Sequence, residues 1–486
     1  MATENYGAYA QLVGSIAQTP VSTDTFVYFI GSCASGDLNK AYWITSMSDY
    51  AQKLGGAVGD GYNLTDAAIA AFQIAGLSGV YMIPVSHSRI FVQSHYMGNA
   101  SLFTGIYALE AQMMDNPTMV NLVCAPNVIT PTVLTALVGL CKKAGGHWDS
   151  FMLYDVTEEE DQINSSGVIV PSKVIEAKQL NDEQADAVWG HVKTSDGNYI
   201  SGAAVRACLM AKSDASYGCP ARCGGNIPVS GVQKMGLNSL ISDTIESDNQ
   251  QTLAPGVTSM FIKVNGQPVD YIDGYEYIID DVSSEAGELE NCVLAKGTYQ
   301  DQAGKLILRF DALTELATNV VVSFYTIHSE SVKITESAVT ELSADGICSW
   351  INYSGQICTW GDHTSAFSGG TVADERARFD NSIRMLQMIT NRFQMKYRFS
   401  IDDPMDLSMR NDVIDEELTY LNKLVSIGGL IGEPICEFRA VDNGIDQVAQ
   451  GYFTWSIQAT PTIPAKYMLA KVAYSQAGLS VYTQAA

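Results

Sequence analysis

Basic residues are scarce: 28 Lys and Arg stand against 53 Asp and Glu in 486 residues, a formal charge of −25. Nucleic acids and anionic membrane surfaces are held by Lys and Arg, so this balance argues against both as main partners. Charge of either sign is thin, at 17% of residues, below the roughly one quarter usual in globular chains. Such a surface suits a quiet cytosolic protein or one largely covered by neighbours. No apolar run approaches the ~18 residues of a membrane helix. The opening MATENYGAYAQLVGSIAQTP lacks the basic start and apolar core of a signal peptide. The ten cysteines have no framework spacing, which predicts reduced, mostly buried thiols and maturation in a cytoplasm.

Signatures of chemistry are missing as well. Gly31 to Gly36 (GSCASG) follows an apolar strand with the spacing of a phosphate loop, but Asp37 and Leu38 stand where the Lys and Ser/Thr belong. No strand leads into the glycines between Gly55 and Gly61, as a dinucleotide fingerprint requires. Cys219 and Cys223, with Cys208 nearby, lack the further ligands of a zinc site, His191 being the nearest imidazole. The six histidines are scattered and pair with no nucleophile motif. The expectation is no catalytic residue, no metal and no cofactor.

What is present is a long alternation of strands and helices. Residues 1–20 are small and polar and read as an arm. FVYFIG, AYWITS and VYMIPVS read as strands, with the helix NLTDAAIAAFQIAG ending at Gly76 before the third. After Pro117, MVNLVCAP and DSFMLYDV read as strands around a helix opened by Pro131. Residues 200–236 are rich in Gly and Ala and give little periodic signal. Between 251 and 335 the pattern turns to alternating strands, with Asn265-Gly266 marking a hairpin, so this stretch predicts an all-β, sandwich-like insert. The last third returns to mixed structure. A helix over 375–397 is followed by DVIDEELTYLNKLVSIGG, capped at Gly428-Gly429, and by strands, and GLSVYTQAA ends the chain as a second candidate arm.

At ~100° per residue, Phe379, Ile383, Leu386, Ile389 and Phe393 share one face of the helix taken over 375–398. Arg376, Arg378, Arg384, Arg392, Lys396 and Arg398 fall on the rest, against Glu375 and Asp380. Two readings stay open: a basic face for an acidic partner, or a surface helix whose charges meet the acidic 402–417 segment of its own chain.

Tyr6-Gly7-Ala8-Tyr9 before Pro20-Val21, the stretch ITSMSDYAQKLGG, and Asp345-Gly346-Ile347 through Trp360-Gly361-Asp362-His363-Thr364 come in that order. A long helix, a break at Pro404, a second helix, Leu430-Ile431-Gly432 and strands around Gly451 and Pro461 to Pro464 follow. In this order they resemble the contractile phage tail sheath family, myophage or tailocin-like. The likeness covers residues 1–85 and 340–475 and is thematic between. Cys348 stands where the family usually has Asn, and Asp362-His363 where it has Ala-Arg, so a role resting on that Arg does not carry over.

The resemblance implies an α/β (α+β mixed), multidomain fold: an arm at 1–20, a discontinuous tube-facing domain from 21–90 and 336–475, a middle α/β domain at 91–250, a β-sandwich-like outer insert at 251–335, and an arm at 476–486. It implies a structural subunit, not an enzyme, that polymerises helically around a tail tube and contracts. The expected partners are further copies of itself, the tail tube protein, and baseplate and tail terminator proteins, with no nucleic acid and no membrane insertion. Its place would be the phage virion or a tail-like particle, assembled in the host bacterial cytoplasm. The alternatives are a secretion-type contractile injector and, further off, an α/β enzyme. By the same resemblance Arg376, Arg378, Arg384, Arg392 and Lys396 face the tube. Gly7, Tyr9, Leu12 and Leu479 would lie on arm strands, and Tyr467, Leu469, Val472 and Tyr474 on a sheet edge that receives a neighbour's strand.

Overall fold

A strand buried on both faces reads as a nearly continuous apolar run, and Thr25–Ser32 is one. Val27 and Phe29 point into one core and Tyr28 and Ile30 into another, all essentially without solvent contact. The computed structural model describes residues 25–56, 61–89, 91–118, 120–142, 148–247, 251–273, 275–298, 302–353 and 355–477.

Around Thr25–Ser32 an eight-stranded sheet runs in the order Gln356–Trp360, Ile347–Tyr353, Ala185–Val188, Phe151–Asp155, Val120–Cys124, Thr25–Ser32, Val80–Ser86, Tyr42–Ile44. The six inner strands are parallel and the two edge strands antiparallel. Helices cover both faces, as parallel strands joined by crossovers require. The first and middle α/β stretches, expected as separate domains, therefore share one sheet with Ile347–Tyr353. Strand pairing is non-local, and no local pattern in the sequence reports which strands lie side by side.

The Gly- and Ala-rich stretch forms the helix Gly202–Tyr217, N-capped by Ser201, whose side chain accepts from Ala204 N, and closed by left-handed Gly218. Ala203, Ala204, Ala207 and Cys208 are fully buried. Their small side chains let the helix lie between the sheet and the π-helical turn Ile69–Ala75. A helix buried on nearly every side shows no amphipathic stripe, which is why this one gives no periodic signal.

The β insert is a second body with its own core of Leu253, Met260, Ile262, Leu306, Leu308, Val320, Val322 and Phe324. Asn265 and Gly266 both take left-handed φ, 51° and 75°, closing the hairpin Lys263–Val264 to Gln267–Pro268. Its stem is two long antiparallel strands, Val232–Glu246 and Ala317–Ser331, the first of which also pairs with His191–Thr194. The insert thus starts about twenty residues before the expected 251. Val232–Glu246 carries too many polar residues to alternate cleanly.

The final part is a helical pair, Asp380–Tyr397 and Leu407–Ser426, carrying a two-stranded hairpin, Leu430–Glu437 and Ser456–Pro461. Asp406 caps the second helix through Met409 N at 2.8 Å. Leu430, with Ile457 and Ala459 packed beside it, joins Met385, Met388, Ile389, Leu421 and Leu424 in a separate small core.

Candidate assembly interface

The helix Asp380–Tyr397 does not present its arginines to solvent. Arg384 is fully buried, its Nη1 2.6 Å from Asp214 Oδ2 and its Nη2 donating to Arg222 O at 2.8 Å and lying 3.6 Å from Asp380. Arg206, also buried, bridges Asp186 and Asp380, each at 3.0 Å, and donates to Gly224 O and Gly361 O. Thr25 Oγ1 donates to Asp214. Two guanidiniums thus face three carboxylates inside the protein. Burial pushes all three carboxyls up against the pull of the arginines, Asp186 to about 7. The cluster joins the sheet, the buried helix Gly202–Tyr217 and the C-terminal helical pair.

Further along the same helix, Gln387 donates to Ser150 O, and Asn391 exchanges hydrogen bonds with the Asp149 backbone. Asp380, Arg384, Gln387 and Asn391 therefore form a polar stripe at helical spacing that docks on the α/β body. Polarity at helical spacing reads as a solvent face unless each group has a buried partner, and those partners lie 156 to 242 residues away in sequence. This corrects the expectation of a basic outer face. Arg392 pairs with buried Glu417 and stacks 3.8 Å above the Tyr420 ring; Lys396 pairs with Glu416. Both thus meet the acidic segment of their own chain. Arg376 and Arg378 precede the helix and make surface pairs with Asp374, Glu183 and Glu375. Such pairs are worth about 0–1 kcal/mol.

Most large apolar side chains exposed among the described residues lie between Phe399 and Tyr474. Phe399, Ile401 and Leu407 crown the turn between the two helices, Phe399 at 87% exposure. Ile431 and Ile435 stand on the outer face of the hairpin, and Val441, Ile445 and Tyr452 on its connection. Tyr467, Met468, Leu469, Val472 and Tyr474 are 63–92% exposed.

The expected edge strand over 467–474 does not form; this stretch runs over the surface without strand pairing. Alternation alone did not make a strand because no partner strand among the described residues lies beside it. Among the described residues the open edges belong instead to the hairpin, whose two strands pair with each other, the register slipping between Ile431 and Ile435 around Pro434. An isolated two-stranded hairpin is marginal in water and its outer edges present unpaired backbone groups. The sequence signal for it was the strand pair after Gly428-Gly429; what was not visible was that the pair gains no third strand among the described residues. Gly7, Tyr9, Leu12 and Leu479 lie outside the described residues.

In a parallel sheet, ligands usually sit beyond the carboxyl ends of the strands where the order reverses. Here that point lies between Thr25–Ser32 and Val120–Cys124, and the chain fills it. Asn63, opening the helix Asn63–Ala68, donates to Pro126 O at 2.7 Å and to Tyr96 Oη, and accepts from Ser32 Oγ. The GSCASG loop folds onto the end of helix Met47–Leu54, Ser35 N donating to Leu54 O, and a Cβ on Gly36 would lie 2.8 Å from Leu54. Beside it, His191 is held between Glu158 (2.9 Å) and Asn127 (2.8 Å). Burial disfavours its charge, but Glu158, Asp155 and Asp66 outweigh burial and lift its pKa to about 9. These groups satisfy one another in a static network. Among the described residues no cluster of three or more His, Cys, Asp or Glu is placed to hold a metal, and no helix is long and apolar enough to cross a membrane.

No protein-family profile matches the sequence, and no curated protein does. Solved structures match in fold over nearly the whole chain. A chain of the anti-feeding prophage baseplate, 6-fold symmetrised, is 15% identical, with 98% of this chain and 100% of that one covered and a TM-score of 0.55. A chain of the sheath complex of an extracellular contractile injection system, PVC, in the contracted state is 13% identical, with 98% and 99% covered and a TM-score of 0.57. A chain of the anti-feeding prophage helical sheath in the contracted state is 14% identical, with 98% and 100% covered and a TM-score of 0.56. At such identity the likeness is one of fold: mixed α/β and multidomain.

Proposed function

We propose that this chain is a structural subunit of a contractile sheath, in a phage tail or a tail-like injection particle, and not an enzyme. The observation that carries the proposal is the unfinished sheet: a hairpin that gains no third strand among the described residues, beside a run of exposed apolar side chains. A strand donated by a neighbouring copy satisfies the hairpin's backbone groups and covers Ile431 and Ile435. A head-to-tail contact that does not close on itself builds a helix. The fold shared with chains of contractile sheaths supports the same reading.

In this reading many copies assemble in a stretched lattice and then shorten as more apolar surface is covered. At about 1.5–3 kcal/mol per large side chain buried, five residues such as Tyr467, Met468, Leu469, Val472 and Tyr474 supply roughly 10 kcal/mol gross, before the cost of ordering them. Summed over a polymer, this drives contraction with no nucleotide. The purified protein, viewed by negative-stain electron microscopy, is expected to form hollow striated tubes. A monomer at every concentration, alone and with tube protein, overturns the proposal.

The inner contact is with a tail tube, and baseplate and terminator proteins bound the polymer. Arg384 and Arg392 are committed inside the subunit, so the tube contact falls to the exposed turn bearing Arg398, Phe399, Ile401 and Leu407. Changing Phe399 and Ile401 together to Ser is expected to leave tubes of sheath alone and to abolish co-assembly on tube protein, scored by pelleting. Undiminished co-assembly removes the turn from the contact.

A further inference from the structure

Asp362 is one of two positions at which this chain departs from the sheath-like pattern in its WGDHT stretch, and the fold gives it a partner far along the chain. Lys466 Nζ pairs with Asp362 Oδ1. Asp362 is 5% exposed, and its backbone oxygen accepts from Asp380 N, so its carboxylate is rooted in the element that carries the buried Arg206 and Arg384 cluster. The neighbouring His363 ring lies nearly parallel to Phe367, centroids 3.8 Å apart, and 5.2 Å from Phe379, while its Nδ1 meets Arg378 O at 2.8 Å. The acceptor therefore sits on a stiff loop.

Upstream, the chain is tied at Thr462. Its N donates to Gly429 O at 3.1 Å, its hydroxyl to Gly428 O, and its carbonyl accepts from Asn381 Nδ2 at 2.8 Å. Downstream of Lys466 the side chains turn outward at once, Tyr467 at 80% and Met468 at 86% exposure.

We infer that the Lys466–Asp362 pair is a clamp that sets where the C-terminal extension leaves the subunit. Opened, it frees four more residues, back to Thr462, and lengthens the reach of the extension by about 13 Å at ~3.3 Å per residue. Lys466 is thus a positioning residue for the contact that the extension makes, and this meaning rests on the sheath reading. The pair is half open to solvent, Lys466 at 45%. That lets it hold the root of the extension in the free subunit and yield when a neighbour pulls on it.

Unassembled subunits test the clamp without reference to polymerisation. Trypsin must take the Lys466 or Lys471 side chain into its own pocket, and of the two only Lys466 has an ion pair among the described residues. In the wild-type protein cleavage after Lys471 is expected to run roughly tenfold faster than after Lys466, a charge-assisted hydrogen bond having to break first. D362N should bring the two rates within about twofold, while K466R, which keeps the pair and remains a trypsin site, stays protected. Should D362N fold poorly, K466M is read with chymotrypsin, cleavage after Tyr467 rising to match that after Tyr474. Equal rates at the two lysines in the wild type, or no change in either D362N or K466M, overturn the clamp. Absence of tubes from the wild type overturns the sheath reading and leaves the cleavage ratio as it was found.

Discussion

Replacing Arg206 by methionine is expected to cost about 3–5 kcal/mol, the range for stripping one partner from a buried ion pair. That is a large part of the 5–15 kcal/mol by which domains are stable. Arg206 has no solvent to replace its bonds. Its removal leaves Asp186 and Asp380 facing each other with only Arg384 near, strips the Gly361 carbonyl of its donor and leaves the Gly224 carbonyl with the Thr359 hydroxyl alone. Trp189 and Trp350 are buried in the α/β body, Trp350 donating to Gly190 O, so their fluorescence in a urea titration reads this body separately from the β insert. The loss carries a pH signature. Burial already raises Asp186 to about 7, above its unfolded value. A carboxyl raised on folding contributes stability in full below its unfolded pKa, and that contribution is lost as pH rises through the folded one. Without Arg206 the folded value rises further. The variant is therefore expected to be more damaged at pH 8 than at pH 5.5. Equal damage at both would place the cost in lost packing instead of charge.

A chain ending at Lys466 is expected to melt within about 1 °C of the full protein, since removing exposed residues shifts stability by roughly ±0.5 kcal/mol, and to form no tubes. The clamp and the hairpin are kept; what goes is the chain after Lys466, with the exposed Tyr467, Met468, Leu469, Val472 and Tyr474. Size-exclusion chromatography should show a monomer less prone to association than the parent, and electron microscopy no striated tubes. Tubes of normal spacing from this chain would assign the contact to other surfaces, such as Ile431 and Ile435. A fall in melting temperature would mean that the extension packs on its own subunit.

Much of this molecule could be read before it was seen, and the legible parts share a cause. Strands buried on both faces, such as Val120–Cys124 and Phe151–Asp155, announce themselves by composition because every side chain in them meets apolar neighbours. Asn265-Gly266 specifies its hairpin because left-handed φ is a property of those two residues alone. Gly76 and Gly428 end their helices for the same local reason. Sequence alone thus determined the type of most elements, though not of Gly202–Tyr217 or of 467–474, and the order of elements that carries the family resemblance.

The tertiary structure decided everything that depends on partners distant in the chain. It joined the first, middle and late α/β segments in one sheet, because parallel strands pair across crossovers whose length hides the partner. It turned the polar stripe Asp380, Arg384, Gln387, Asn391 inward, because Asp214, Ser150 and Asp149 wait there to satisfy it. Among the described residues it left the alternating 467–474 stretch unpaired and the 430–461 hairpin without a third strand, because a strand exists only where a second backbone lies beside it. Local pattern states what a segment can become; which surfaces are spent inside the subunit, and which remain for a neighbour, is settled only when the whole chain has folded.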